Sequence, residues 1–367
     1  MKIDRIALTG FRNYEWETIT FSPETNVIYG NNAQGKTNLL ESVFVLSFGK
    51  SFRTRFDREL VNFGYSSAEI LADITSHQRN QTIQIRITPG AAKKITVNGV
   101  KKTASELADT VNVVLFCPDD LNIIKDGAAV RRKFLDNAIS QIRPKYAEIL
   151  AEFNRIYEHK TRILKDWQQK PSLLEPLDEF SDALCRCSAK LIRYRASYTE
   201  RLNKAASGIH GDFSGDGEEL ELSYKTVSTV TDPLASEKEI YYEICDHQEK
   251  HRKAELESGQ CLTGAHKDDL EVRINGADAR SFASQGQTRT AALSMKLAER
   301  EILLKETGEY PILLLDDVLS ELDSGRQEFV LNRLHGGQTL ITCCEDGNIS
   351  ERTGGKVIHI DKGRART

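Results

Sequence analysis

The chain has 367 residues and a mass of 41.3 kDa, which leaves room for one large or two ordinary domains, each with its own core. With 39% hydrophobic and 28% charged residues it reads as an ordinary soluble globular protein; no apolar run is long enough to span a bilayer, and Met1-Lys2-Ile3-Asp4 goes straight into strand-like sequence with no secretory signal. A net charge of −4 and a pI near 6.1 do not advertise a nucleic-acid binder, and seven cysteines without a C-x-x-C pair fit reduced thiols in a cytoplasm better than a disulfide framework or a zinc site.

Residues 1 to about 30 read as an edge-forming β segment, with 10–14 as a loop between strands at 6–8 and 19–21. Asn26-Val27-Ile28-Tyr29 then reads as a short buried strand. It runs into Gly30-Asn31-Asn32-Ala33-Gln34-Gly35-Lys36-Thr37, a G-x-x-x-x-G-K-T pattern. Glycines at the first and sixth positions let the backbone curl so that successive N–H groups point inward at anionic oxygens. Lys36 supplies a flexible point charge for terminal phosphates, and Thr37 offers a hydroxyl to Mg²⁺. Leu39, Leu40, Val43, Phe44 and Leu46 recur at helical spacing up to Gly49. Strand, glycine loop and helix is the order this chemistry needs, since the helix N-terminus adds its own partial positive charge.

Lys50, Arg53, Arg55 and Arg58 follow that helix. From 68 to 100 the period changes to two: Ile70, Ala72, Ile74, Ile83, Ile85, Ile87, Ile95 and Val97 alternate with polar residues, punctuated by Pro89-Gly90 and Asn98-Gly99. This predicts an antiparallel sheet with one wet face, followed by a strand at 111–116. From about 130 to 210 the pattern is helical, with stripes through Phe134–Ile142, Tyr146–Tyr157 and Phe180–Leu202. Arg186, Lys190, Arg193, Arg195, Arg201 and Lys204 lie along the last of these, opposed only by Glu200. Such a run is usually a solvated helix face, and composition alone favours that reading over a local cluster with which an acidic chain grips phosphates. Residues 208–219 read as a loop, 220–224 as a strand, 237–257 as a charged helix, and 270–276 as a return to β structure.

Far down the chain, Ser281-Phe282-Ala283-Ser284-Gln285-Gly286-Gln287-Thr288-Arg289 opens a helix, where a serine, a glycine and free backbone N–H groups make a second phosphate-binding surface. After Pro311, the apolar run Ile312-Leu313-Leu314-Leu315 suits a central parallel strand buried on both faces, and it ends in Asp316-Asp317. Carboxylates at the carboxyl end of such a strand lie where ligands bind in open α/β sheets. Asp316 is placed to hold Mg²⁺ and Asp317 to accept a proton from an attacking water. Ser320-Glu321-Leu322-Asp323 follows directly.

Together these pieces resemble the SMC-like DNA-repair branch of the ATP-binding-cassette superfamily. Phe11-Arg12-Asn13-Tyr14, Gly30 to Thr37 (Walker A), Gly264-Ala265-His266-Lys267-Asp268-Asp269, Ser284-Gln285-Gly286-Gln287 (signature), Ile312 to Asp317 (Walker B) and Ser320 to Asp323 (D-loop) match in order and spacing over essentially the whole chain. The resemblance implies an α/β P-loop ATPase head of mixed sheet with an antiparallel sub-sheet, formed by 1–124 and 259–367, carrying an inserted, mainly helical lobe at 125–258. It implies an ATP-dependent homodimer with ATP and Mg²⁺ between two copies. Arg12, Asn13, Gly30, Asn31, Asn32, Gln34, Gly35, Lys36, Thr37 and Asn38 of one copy would meet Ser284, Gly286 and Gln287 of the other. Lys36, Asp317 and Ser284 would be catalytic, with Thr37 and Asp316 on the metal.

The resemblance further implies a cytoplasmic protein of recombinational repair and replication, tied to the DNA-damage (SOS) response. It would bind duplex and gapped DNA, hydrolyse ATP slowly for release, and work with the mediator proteins RecR and RecO and through them with RecA. Lys50, Arg53, Arg55, Arg186 and Arg193 are the candidate DNA contacts. Two departures put fast hydrolysis in doubt: Phe116-Cys117-Pro118-Asp119 supplies no Q-loop glutamine, and Cys343-Cys344-Glu345 stands where a switch histidine is expected. The alternatives are an ATPase subunit energising a membrane transporter, against which the long Walker A to signature separation argues, and a nuclease-associated ATPase, for which no carboxylate cluster is left over.

Overall fold

The computed structural model describes residues 1–77, 79–215, 217–226, 230–344 and 349–366. It separates into two compact units, Met1–Leu121 with Lys296–Thr367, and Asn122–Met295. Residues 259–295, which carry the Ser284 motif and were expected in the head, group with the second unit. In chain order, β1 (Lys2–Phe11), β2 (Tyr14–Thr20) and β3 (Thr25–Tyr29) lead through the glycine loop to α1 (Lys36–Phe48). Then come β4 (Ala68–Ser76), β5 (Arg79–Ile87), β6 (Lys94–Val97), β7 (Val100–Lys102) and β8 (Val113–Phe116). The second unit contains α2 (Ala128–Ile142), α3 (Pro144–Asp166), α4 (Leu177–Ser214), β9 (Leu220–Lys225), α5 (Glu237–Ser258), β10 (Asp269–Ile274), β11 (Ala277–Asp278) and α6 (Ala279–Phe282). The division falls within α7 (Gln285–Thr307), after which β12 (Ile312–Asp316), α8 (Ser324–Leu331), β13 (Thr339–Cys343), α9 (Ile349–Thr353), β14 (Lys356–Asp361) and β15 (Arg364–Arg366) complete the first unit.

The first unit holds two sheets. The antiparallel one runs β2-β1-β4-β5-β6-β7, and β4 alternates buried and half-buried residues along its length, as a strand with one covered face must. β2, not β1, forms its edge, because β1 pairs with both β2 and β4. The other sheet runs β15-β14-β3-β13-β12-β8 and is parallel except at β15. All residues of β8, β12 and β13 are buried, which explains the apolar runs of β8 and of β12 up to Asp316; β13 interrupts its run with buried Thr339 and Thr342. One core cluster joins Ile6, Ile70 and Ile83 of the first sheet, Leu39, Leu40 and Val43 of α1, and Ile28, Leu314 and Leu340 of the second. Each such side chain contributes roughly 1.5–3 kcal/mol by leaving water. Helix α1 is therefore buried nearly all round, polar Lys36, Glu41, Ser42 and Ser47 included, and Gly49 (φ 63) ends it in the left-handed conformation, donating its N–H to the Val45 carbonyl at 2.9 Å.

In the second unit, α2 to α4 carry the expected stripes, with Phe134, Tyr146, Phe153, Leu184, Leu191 and Tyr198 buried, α5 is the charged helix expected at 237–257, and β9, β10 and β11 form a separate antiparallel sheet. Two expectations need correction. The loop read at 208–219 does not begin at Gly208: α4 continues to Ser214, because Leu202, Ala206, Ile209 and His210 prolong its buried stripe, and Gly215 (φ 64) caps it. Asp216, within that same stretch, lies outside the described residues. Arg195 is also no part of a basic surface. It is buried, with Nε and NH2 on the Asp136 carboxylate (2.8 and 3.0 Å) and NH1 on the Ala265 carbonyl (2.7 Å). Among the described residues, no helix is long and apolar enough to cross a membrane.

Candidate nucleotide site

The glycine loop leaves β3 at the carboxyl end of the parallel sheet, between β14 and β13. Gly30 has φ 148, and a Cβ there would meet the Ile360 carbonyl oxygen at 2.2 Å, so only glycine fits. Gly35 has φ 119, and a Cβ there would meet the Asn13 amide at 2.7 Å. Lys36 is buried and its Nζ donates to the carbonyls of Gly30 (2.6 Å) and Asn31 (3.1 Å). The Gln34 carbonyl accepts from Asn13 Nδ2 (2.8 Å) and from the Gly363 N–H (2.9 Å). The Gly35 carbonyl accepts from the Tyr14 hydroxyl and from the Leu39 N–H, both at 2.9 Å. A trans peptide points its C=O and the next N–H in opposite directions, so these contacts turn the N–H groups of Gly35 and Lys36 the other way. That is the polarity an anion cradle requires.

Strand register supplies the second half. Asp316 pairs with Thr342 across β12 and β13, and Thr342 pairs with Ile28 across β13 and β3, so the strand-end carboxylate stands level with the start of the loop. Asp316 Oδ1 accepts from Thr37 Oγ1 and from Thr342 Oγ1, each at 2.9 Å. Burial pushes the Asp316 carboxyl above the usual range, with neighbouring Asp317 adding to the rise; the two hydroxyls act in the opposite sense. A desolvated carboxylate beside a hydroxyl, both hard oxygen donors, is a set that fits Mg²⁺. Asp317 holds φ 51, and its N–H donates to Thr342 Oγ1 at 2.8 Å. Asp and Asn tolerate that conformation better than most residues.

The other residues singled out by sequence are distributed as follows. Arg12, in the β1–β2 turn with φ 52, puts Nε and NH2 on the two oxygens of buried Glu41 at 2.8 and 2.7 Å. Asn38 donates to Asn13 Oδ1 at 2.8 Å, Gln34 Oε1 accepts from the Lys362 N–H at 2.7 Å, and Asn32 Oδ1 accepts from the Cys344 thiol at 3.1 Å. Asn31 is exposed. Ser284, Gly286 and Gln287 belong to the second unit. There exposed Ser284 and Gln287 form a reciprocal cap at the start of α7, Ser284 Oγ accepting the Gln287 N–H (3.2 Å) and Gln287 Oε1 accepting the Ser284 N–H (2.8 Å). The Gln287 N–H, expected to be free, is therefore engaged.

In the Phe116-Cys117-Pro118-Asp119 segment, Cys117 N and Sγ both turn to Asp120 Oδ2 (2.9 and 3.3 Å). Cys344 is exposed, while Glu345 lies outside the described residues. Of the candidate DNA contacts, Lys50, Arg55 and Arg193 are exposed, Arg186 is exposed but paired with Asp182 at 2.7 Å, and Arg53 donates to Asn38 Oδ1 at 2.8 Å. Sequence reasoning missed Thr342 and Glu41. Glu41 could have been noticed as a carboxylate directly after Leu39-Leu40 on the apolar stripe of α1; Thr342 becomes visible only once β12 and β13 are known to be neighbours.

The family model described as "RecF/RecN/SMC N terminal domain" matches residues 2–364. The "DNA replication and repair protein RecF" of Clostridium botulinum (strain ATCC 19397 / Type A) is 42% identical over 344 residues, covering 94% of this chain and 92% of that protein. A solved structure described as "Structure of the recombination mediator protein RecF-ATP in RecFOR pathway" superposes with a TM-score of 0.91 at 34% identity, over 99% of this chain and 96% of the other. An Smc head domain from Pyrococcus furiosus, at 18% identity and a TM-score of 0.57 over 99% of this chain and 95% of that one, shares the fold alone. The α/β cassette-type architecture read from the motifs is the observed one, and the chain belongs to the RecF family of repair proteins.

Proposed function

We propose that this chain is a cytoplasmic, ATP-switched DNA clamp of recombinational repair, with the transporter-motor alternative set aside because the full-length relatives are repair proteins. The observation that carries the reading is the 2.9 Å contact between Thr37 Oγ1 and Asp316 Oδ1, which joins glycine loop and strand-end carboxylate across 279 positions. ATP enters from the name of the RecF-ATP structure that this chain resembles. In the head, the N–H groups of Gly35 and Lys36 receive phosphate oxygens and the Lys36 ammonium follows the terminal phosphate. Thr37 and Asp316 hold Mg²⁺, which when bound neutralises phosphate charge. Asp317 takes the proton of the attacking water, and Asn31, Asn32, Gln34 and Asn38, with Arg12 and Asn13 behind them, shape the pocket wall.

Exposed Ser284, with Gly286 and Gln287 at the start of α7, offers a helix N-terminus to the γ-phosphate held by a second copy. Two nucleotides then fasten two heads, and hydrolysis opens them. It is slow, because the Phe116-Cys117-Pro118-Asp119 segment supplies no Q-loop glutamine and Cys343-Cys344-Glu345 stands where the switch histidine would be. The candidate DNA contacts are Lys50, Arg53 and Arg55 in the first unit, or Arg186 and Arg193 in the second, with mediator proteins loading recombinase beside the bound DNA. The test is fluorescence anisotropy of a gapped duplex, titrated with the Asp317→Asn protein in ATP and in ADP. Tight, cooperative binding in ATP alone is expected; equal binding in both nucleotides would refute the switch. Mixing Lys36→Ala with Ser284→Arg protein should also restore turnover, since the mixed dimer keeps one intact composite site. Failure to restore it would refute the sandwich.

A further inference from the structure

The segment between α1 and β4 is more than a basic stretch. Three large aromatic side chains stand in solvent here, Phe56 at 56%, Phe63 at 102% and Tyr65 at 41% exposure. Single exposed apolar residues need no explanation, but three within ten positions do. Arginines interleave with them: Arg53, Arg55 and Arg58 are all exposed, and the Arg58 guanidinium lies 5.2 Å from the centre of the Phe56 ring. Each local acid has a partner, though that of Glu59 is a hydroxyl and leaves its negative charge in place. Asp57 is paired with Lys93 at 2.8 Å, and the Glu59 carboxylate accepts from Thr54 Oγ1 at 2.5 Å. With Arg53, Arg55 and Arg58 against Asp57 and Glu59, the segment is net positive, its arginines set between aromatic faces.

It is also held in place. Buried Leu60 and its neighbours are tied to β1, through Arg12 N–H to the Leu60 carbonyl at 2.9 Å and Asn62 N–H to the Gly10 carbonyl at 2.8 Å. The Tyr65 ring lies over Gly10, where a Cβ would come within 2.8 Å of it. Tyr65 N–H closes a turn on the Asn62 carbonyl at 3.1 Å, Gly64 takes φ 95, and Phe63 occupies the tip. A ring held at a turn tip by a tethered backbone loses little entropy when something stacks on it. From the same segment Arg53 reaches Asn38, Asn38 reaches Asn13, and Asn13 holds the Gln34 carbonyl of the glycine loop, each link 2.8 Å.

We propose that the segment from Arg53 to Tyr65 reads unpaired nucleic-acid bases, Phe63 stacking on a base exposed beside a duplex end while the arginines hold the adjoining phosphates. The occupant follows from charge and shape: an apolar protein partner would want contiguous apolar surface, whereas aromatic rings spaced by exposed guanidinium groups suit a single strand, with its alternating π-faces and anions. The Arg53–Asn38–Asn13 chain makes the contact readable at the glycine loop. This rests on the DNA-binding reading above and supplies the residues that tell a gap from plain duplex.

The test measures affinity by anisotropy for a gapped duplex and for a fully paired duplex of equal length, in ATP, with wild-type, Phe63→Ala and Phe63→Tyr proteins. Phe63 is fully exposed, so neither change threatens the fold. Phe63→Ala should weaken gapped-DNA binding by roughly five- to a hundredfold and leave paired-duplex binding within about twofold; Phe63→Tyr should restore the preference. Equal loss on both DNAs, or no loss on either with wild-type binding intact, overturns this proposal and leaves the clamp standing. A wild-type protein that binds neither DNA overturns the clamp itself.

Discussion

Replacing Thr342 by valine isolates the joint between the two halves of the site. The hydroxyl is almost fully buried, at 1% exposure for the residue, and serves two neighbours at once: it accepts the Asp317 N–H at 2.8 Å and donates to Asp316 Oδ1 at 2.9 Å. Valine keeps the shape and the β preference, so no cavity term enters. The Asp317 N–H loses its partner, which costs about 1–3 kcal/mol if water stays out, and Asp316 loses one of two hydroxyl donors to a charged group, about 1.5–3 kcal/mol. Asp317 is half-exposed and water recovers part of the first figure, so the expected destabilisation is roughly 2–4 kcal/mol. Hydrogen exchange of the β12 and β13 amides, followed by mass spectrometry, reads this locally, free of unfolding in the second unit. Thr342→Ser keeps the hydroxyl and should lie within about 1 kcal/mol of wild type. Valine and serine variants that exchange alike would refute the reasoning, because the hydroxyl would then be doing nothing that its methyl does not.

Glu41→Gln should destabilise the first unit by about 2–3 kcal/mol in urea titration, since the neutral amide leaves the doubly bonded Arg12 guanidinium without its counter-charge; a change below roughly 0.5 kcal/mol would mean that Arg12 turns out to solvent. Gly30→Ala should abolish nucleotide binding and lower the melting temperature by roughly 5 °C or more, because its Cβ cannot coexist with the Ile360 carbonyl; a normal melt would refute the close approach. Burial beside the Tyr157 ring, 4.5 Å away between centroids, holds the His266 ring down to about 4 from its ordinary 6.5. Between those values the native state binds fewer protons than the unfolded chain, so this contribution is whole above pH 6.5 and lost as pH falls toward 4. At most it amounts to about 3 kcal/mol, and less where solvent reaches the ring. Urea midpoints of the His266→Gln protein should decline less steeply over that window; parallel declines would dismiss the histidine.

The glycine loop and the Asp316 strand were legible because their chemistry dictates residue types within one short stretch each. A loop that must cradle phosphate needs its glycines and lysine at fixed spacing, and a strand buried on both faces has no room for polar residues until it ends. Thr342 and Glu41 were not legible in the same way. Thr342 matters only because register sets it opposite Asp316, and Glu41 only because the β1–β2 turn brings Arg12 over α1. Other misses carried a signal that periodicity could have supplied. Arg195 stands four residues after Leu191 and three before Tyr198, on the apolar stripe of α4, where an arginine has to find a buried carboxylate. Past Gly208, Ile209 continues that stripe from Leu202 two turns earlier, so composition suggested a loop where spacing already favoured helix.

The Phe11-Arg12-Asn13-Tyr14 motif gains a physical meaning that a list of nucleotide contacts would miss. Arg12 is committed to Glu41, Asn13 to the Gln34 carbonyl and Tyr14 to the Gly35 carbonyl, while burial keeps the Tyr14 phenol protonated and able to donate. The Asn13 and Tyr14 contacts fall behind the glycine loop, on the side away from the N–H groups of Gly35 and Lys36, while the Arg12 contact fastens the β1–β2 turn to α1. A loop built largely of Gly and Asn has many backbone conformations to choose from, and each carbonyl fixed from behind removes some of them. The motif therefore presets the anion cradle, so that less ordering remains to be done when phosphate arrives. Because Asn13 also touches Asn38, and Asn38 touches Arg53, the same support runs on to the arginine-rich segment. On the nucleic-acid reading proposed above, a contact made there would reach the cradle through these side chains, and coupling between nucleic acid and nucleotide would take that physical form.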